Sequence, residues 1–266
     1  MNVSKKQNII VYKNGERVSS ESALIVEEPL SIRIEGQPYA VVMRTPGDEI
    51  AHVAGFCLSE GLIDTPKHIG TIGFCSEIGT NVATVTLAGE QKKKVAALLE
   101  RKGFVSQSSC GICGKELVED LHQFTTPVET TLHLTVDQAL QCADRLPDCQ
   151  PINKQTRSAH AAMIFDKNSA LLASAEDVGR HNALDKAIGK ILMDGQIKTA
   201  AFAVMSSRLS YELVQKGARA GLELMIGVSR PTSLAVDLAR SVNMTLACAK
   251  GTELMVFCGE ERLTLR

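Results

Sequence analysis

Between residues 160 and 258, short apolar runs alternate with segments of helical spacing, and this alternation limits the fold more than any other feature of the chain. Residues 160–165 and 170–174 are apolar runs around Asp166-Lys-Asn-Ser169, a hairpin signal. Residues 182–193 place Leu184, Ala187, Ile188, Ile191 and Leu192 on one side of a helix. Residues 199–205 are continuously apolar, as a strand covered on both faces is. A helix over 211–220, a strand over 223–228, a helix over 232–242 and strands over 245–249 and 253–258 follow. Strands and helices in this order predict a layered α/β (α+β) domain with parallel pairs in a mixed sheet and right-handed crossovers.

The first part of the chain reads as mostly strand. Asn14-Gly15 sits between apolar stretches and accepts positive φ at both centres of a tight hairpin. Residues 31–36 alternate, with 38–43 as the partner across Gly36-Gln37; 81–87 reads as another strand. Two helices are expected, over 48–62 and 92–102, and the Lys92-Lys-Lys94 run is read as a solvated face. Residues 103–115 hold three Gly, three Ser and two Cys, which is loop chemistry, and 116–123 is a helix candidate. These shifts divide the chain into a strand-rich N-terminal domain, 1–125, ending in the paired-cysteine loop, and a layered domain, 126–266.

Composition excludes several classes. The 266 residues carry 29 Lys+Arg against 30 Asp+Glu, so no basic field is available for nucleic acid. No apolar run approaches the ~20 residues that span a bilayer, and the polar start lacks a signal-peptide core. A reducing cytoplasm is therefore expected, and there most of the eight cysteines serve as small core hydrophobes.

Cys110 and Cys113 stand apart in Ser108-Ser-Cys-Gly-Ile-Cys-Gly-Lys115. A following helix N-terminus and Lys115 would favour a thiolate that is nucleophilic and can hold a transferable sulfur. Spacing alone leaves redox or sulfur chemistry, a metal site and a structural accident open. A structural zinc site would want a second C-x-x-C or a spaced His pair, and neither occurs; a zinc deaminase would want H-x-E, which none of the six His supplies. The second constellation is Glu176-Asp-Val-Gly-Arg-His-Asn-Ala-Leu-Asp-Lys186. Arg180, His181 and Asn182 offer donors where a helix opens, a place suited to anions, while the plain alternative is a helix capped by Asp177 or Asn182. The third is Ser206-Ser-Arg-Leu-Ser-Tyr-Glu-Leu-Val214, which follows a buried strand where ligands of α/β sheets collect and includes Arg208. His52, His68, His122 and His133 are read as surface or satisfied core residues. No phosphate-loop or dinucleotide-binding glycine motif occurs.

Together these blocks resemble the formate dehydrogenase accessory sulfurtransferase family, FdhD/NarQ. Glu27-Glu-Pro-Leu30, Met43-Arg-Thr-Pro-Gly-Asp-Glu49, Ala54-Gly-Phe-Cys-Leu-Ser-Glu-Gly61 and Pro231-Thr-Ser-Leu-Ala-Val236 carry the resemblance with the three constellations above. It implies a fold similar to cytidine deaminase without the catalytic zinc, joined to a smaller N-terminal domain, in a homodimer. It implies a sulfur carrier that takes persulfide sulfur from a cysteine desulfurase. The sulfur passes to the molybdenum (or tungsten) bis-molybdopterin guanine dinucleotide cofactor destined for formate dehydrogenase, and guanine nucleotides would mimic that cargo. Cys110 would bear the persulfide with Cys113 assisting, and the cofactor-binding segment would fall on Ala249, Lys250, Gly251, Thr252 and Glu253. The alternative is a cofactor-binding chaperone without sulfur transfer. The chain departs from the family where Thr156-Arg-Ser-Ala-His160 replaces a Thr-Gly-Gly stretch, and at Cys248-Ala-Lys-Gly251.

Overall fold

The computed structural model describes residues 2–76, 81–101 and 126–265. Cys110, Cys113, Lys115, His122 and the helix read over 116–123 lie outside the described residues.

The chain opens with β1 (Ser4–Lys13) and β2 (Glu16–Ile25), a self-contained antiparallel hairpin. Asn14 and Gly15 both hold positive φ (54° and 82°), which matches the twist of the flanking strands. Strands β3 (Glu28–Ile34) and β4 (Gln37–Arg44) pair antiparallel. Their turn lies at Glu35-Gly36 (φ 53° and 79°), one residue before the expected Gly36-Gln37. Glu35 tolerates that backbone while its carboxylate accepts the Leu87 amide at 2.7 Å and pairs with Lys92 at 2.5 Å. Part of the Lys92 run is therefore committed to an ion pair. Helix α1 (Glu49–Ser59) follows, and β5 (Ile69–Cys75), which the sequence reading missed, joins β6 (Val82–Leu87). The sheet order is β4-β3-β6-β5. Helix α2 (Gly89–Arg101) closes this half, beginning three residues earlier than expected.

In the second half β7 (Leu134–Thr135) leads into α3 (Val136–Asp144), whose start carries a full capping box from Thr135 and Gln138. A short α4 (Pro151–Thr156) precedes β8 (His160–Asp166), β9 (Leu171–Asp177), α5 (Arg180–Met193), β10 (Ala200–Arg208) and α6 (Tyr211–Arg219). Then come β11 (Leu224–Ser229), α7 (Ser233–Ser241), β12 (Thr245–Lys250), β13 (Glu253–Cys258) and β14 (Leu263–Thr264). The main sheet has the order β13-β12-β11-β10-β8-β9. Strands β10, β11 and β12 run parallel, while β8, β9 and β13 join antiparallel. The sheet is thus mixed and the fold α+β.

Alternation along these strands separates two cores. Ala162, Ile164, Ala203, Met205, Met225 and Leu246 join a large cluster that also holds Ile32, Ile34, Val53, Val85, Leu184 and Leu213. Met163, Phe165, Phe202, Val204, Ile226 and Ala247 face the other way, onto Leu132, Leu134, Ala139 and Cys142. The larger cluster draws on residues from both halves of the chain.

Helices α1 and α5 meet backbone to backbone. A Cβ on Gly55 would stand 1.9 Å from the Asp185 carbonyl oxygen, and one on Gly189 would stand 1.7 Å from that of Ala51. Buried charges flank this contact. Asp185 pairs with Lys216 at 2.8 Å and accepts the Ser59 hydroxyl at 2.7 Å. His52 of α1 is fully buried and is held well below its ordinary pKa of 6.5 by burial first and then by Lys186, Lys216 and Arg44. The neutral ring is thus the folded form. Because the folded pKa is depressed, the unfolded chain takes up the proton first as pH falls through about 6.5, and stability declines from there. The slope reaches about 1.4 kcal/mol per pH unit. We expect His52→Leu to flatten the fall in urea-unfolding stability between pH 7.5 and 5. An unchanged slope would assign the acid lability to other groups.

Candidate functional site

Parallel strands collect ligands outside their carboxyl ends, where neighbouring connections diverge. Here β10 is that point, with antiparallel β8 on one side and parallel β11 on the other. Arg208 of β10 is level with Ser229 of β11. The β11–β12 register, Gly227 beside Cys248, carries the same level to Lys250 two residues on. Two exposed cationic residues, Arg208 and Lys250, therefore have their backbones about 10 Å apart along one sheet edge, given a strand spacing near 4.8 Å. His160 at the start of β8 pairs with Asp177 at the end of β9, on the same edge. Asp177 leads through Gly179 directly into Arg180 and His181, the first two residues of α5. Four cationic or imidazole residues singled out in the sequence thus reach one edge from three elements.

Their local geometry differs. Arg180 Nε is buried without a hydrogen-bond partner among the described residues, an orphan donor of the kind an anion would satisfy. His181 Nε2 lies 3.0 Å from Glu212 Oε2 and 3.3 Å from Ser210 Oγ. The His181 contact is the chief reason Glu212 titrates below the usual carboxylate value. Ser206 Oγ accepts the Ala161 amide at 2.8 Å and stands 3.4 Å from His160 Nδ1. Burial, followed by the charges of Arg180 and His181, holds His160 below its ordinary value. The β10–β11 register breaks between Met205 and Arg208, so the strand end that carries Ser206 is irregular. Among the described residues no three or more His, Cys, Asp or Glu are gathered as a metal site.

Ala249-Lys-Gly-Thr-Glu253 forms the turn of a hairpin. Lys250 pairs with Glu253, Gly251 takes φ 59°, and Ala249 packs against the smaller core. Only Lys250, Gly251, Thr252 and Glu253 are exposed there. The Glu176–Lys186 block divides more sharply than its composition suggested. Neither Asp177 nor Asn182 caps α5; its N-cap is Gly179, with no side-chain bond. Fully buried Asp177 instead accepts the Thr45 amide at 3.0 Å and pairs with Lys186 at 2.7 Å. Asn182 reaches the Met43 carbonyl at 2.7 Å, and Lys186 donates to the Thr45 carbonyl at 2.8 Å. Glu176 takes the Ile152 and Asn153 amides at the start of α4. Most of this block therefore clasps the Met43–Thr45 segment and α4, and only Arg180 and His181 remain for a ligand.

Arg157, the departure from a family glycine, holds φ 56° at the exposed C-cap of α4, the backbone region that favours glycine. Among the six described cysteines, Cys57, Cys142, Cys248 and Cys258 are buried, and burial raises the pKa of each thiol. Cys149 is half-buried, and Cys75 departs from the packing role expected of it. It is exposed because β5 is an edge strand whose alternate residues face out. Sequence reading did not single out His160 or Glu212; the signal lay in the position of Glu212 four residues after Arg208, at the start of the helix that follows β10.

The arrangement is that of a mixed α+β protein whose sheet carries cations along its carboxyl edge. Comparison with known proteins agrees on its relatives. The FdhD/NarQ family profile matches residues 25–264. A sulfur carrier protein FdhD of Streptomyces avermitilis is 35% identical over 276 residues, covering 99% of this chain and 97% of that one. The protein of the same name from Anaeromyxobacter dehalogenans is 36% identical, covering 96% and 92%. A crystal structure of a proposed formate dehydrogenase accessory protein from Desulfotalea psychrophila shares the fold, with a TM-score of 0.79 and 24% identity over 99% of this chain and all of that one. The chain belongs to the FdhD/NarQ family.

Proposed function

We propose that this chain is a sulfur carrier, a sulfurtransferase serving formate dehydrogenase. Family membership with relatives named sulfur carrier protein FdhD along almost the whole chain carries the reading. Sulfur arrives from a cytoplasmic cysteine desulfurase. The Cys110 thiolate attacks the terminal sulfur of the donor's persulfide, the donor thiolate leaves, and Cys110 holds the sulfur as its own persulfide. Cys113 assists release by attacking the Cys110 sulfur; the terminal sulfur departs as hydrosulfide, and a dithiol reductant reopens the resulting disulfide. The raised pKa of the four buried thiols makes them poor alternative carriers.

The acceptor is the bis-molybdopterin guanine dinucleotide of molybdenum (or tungsten), bound as cargo by a homodimer on a scaffold like cytidine deaminase. The cargo's phosphates fit the cationic edge: Arg180 with its orphan Nε, His181, Arg208 and the Lys250 turn supply donors where a nearly neutral protein has no general field to do so. We expect Cys110→Ala to abolish persulfide formation after incubation with a desulfurase and cysteine, read by mass spectrometry, and to abolish formate dehydrogenase activation with folding intact. A Cys110→Ala/Cys113→Ala chain that still activates the enzyme would establish the chaperone reading instead.

A further inference from the structure

We propose that Glu212 is a positioning residue: it fixes the orientation and tautomer of His181, leaving imidazole Nδ1 as the atom that meets an anionic ligand at the sheet edge. The inference rests on the reading of that edge as the cargo site and goes beyond it by assigning the group that prepares it.

The two residues come from separate elements. His181 is the second residue of α5 and Glu212 the second residue of α6, so the pair bridges two adjacent helix starts. At 3.0 Å from Glu212 Oε2, Nε2 faces a carboxylate, which only accepts hydrogen bonds. Nε2 must therefore carry hydrogen. Ser210 supports the same assignment, because its hydroxyl lies 3.4 Å from Glu212 Oε2 and 3.3 Å from Nε2. Nδ1 has no hydrogen-bond partner among the described residues. In the neutral ring it is a bare acceptor. When an anion approaches, Glu212 compensates the charge of a second proton on the ring, and Nδ1–H becomes a donor.

The neighbouring imidazole is held the opposite way. Nδ1 of His160 faces Ser206 Oγ, and burial beside Arg180 and His181 disfavours its charged form. One ring is thus a neutral fixture and the other an anion-responsive donor. A purely structural role predicts little, since an ion pair with one partner still 37% exposed contributes about 1 kcal/mol to stability.

The test uses the full-length protein with 15N-labelled histidine and GDP as the probe, with the His181 resonances assigned from His181→Asn. In the wild-type protein with the ring neutral, His181 should show the Nε2–H tautomer. Glu212→Gln should keep it, because the amide oxygen still accepts, yet weaken GDP binding several-fold through loss of charge. Glu212→Leu should give mixed tautomers and about tenfold weaker binding, with the melting temperature nearly unchanged. A wild-type Nδ1–H tautomer, or an unaltered tautomer in Glu212→Leu, would overturn the positioning role. Unchanged GDP affinity in Glu212→Leu would overturn the link from Glu212 to the ligand. Failure of the wild-type protein to bind GDP would count against the cargo-site reading, and the tautomer result would still decide the role of Glu212.

Discussion

Gly189→Ala is expected to lower stability by about 3 kcal/mol or more, at or beyond the upper end of overpacking effects, with a fall in melting temperature of about 6–12 °C. The new Cβ would sit 1.7 Å from the Ala51 carbonyl oxygen and 2.5 Å from its carbon. Both are backbone atoms within a helix, so no rotamer change relieves the overlap. The helices must part by more than an ångström, which loosens Val53, Ala54 and Cys57 against Leu184, Ile188 and Ile191 in the common core. Alanine's better helix propensity opposes this by only about 1 kcal/mol. Gly217→Ala is the control, because its Cβ would meet the flexible Met225 Sδ at 2.6 Å and should be much milder. Thermal or urea unfolding checks both. A Gly189→Ala protein as stable as the parent would mean that α1 and α5 are not in backbone contact.

Asp177→Ala is expected to cost about 3–5 kcal/mol, the range for removing one partner of a buried ion pair. Asp177 is fully buried and accepts from Lys186 at 2.7 Å, Asn182 at 2.9 Å, and the Thr45 and Gly179 amides at 3.0 and 2.9 Å. Its loss strands a charged Lys186 that is only 2% exposed. The cost therefore comes mainly from desolvating the orphaned ammonium. Asp177→Ala/Lys186→Met should recover part of the stability, since an apolar pair leaves no charge behind. If the double variant is no better than the single one, the backbone amides that Asp177 satisfies dominate instead. Either result bears on the site, because this clasp sets where Arg180 and His181 begin α5.

Much of the fold was legible locally. Asn14-Gly15 marked its hairpin because two successive positive φ values suit few residues, and the run from Thr199 to Met205 marked a strand buried on both faces. β5 was missed because Ile69-Gly-Thr-Ile-Gly-Phe-Cys75 carries two glycines and its strand character depends on pairing with β6. The Glu35-Gly36 turn was displaced by one residue because Glu35 is held at positive φ by partners at Leu87 and Lys92, far along the chain.

The site shows the same division. Residue types in order were enough to mark the paired cysteines, the Glu176–Lys186 block and the Ser206–Val214 block, since nucleophiles, cations and turn-permitting glycines are visible as letters. Their roles were not. Within one eleven-residue block, Asp177, Asn182, Asp185 and Lys186 turned inward to buried partners while Arg180 and His181 stayed at the edge. Burial and partnership depend on what α1 and the Met43–Thr45 segment bring from 126 to 139 residues away. By itself the sequence determined the alternation of strands and helices and the family, because periodicity and motif order are local properties. Only the tertiary structure decided which charges are clasps and which are free to meet a ligand, because a charge's role is set by its desolvation and by its neighbours in space.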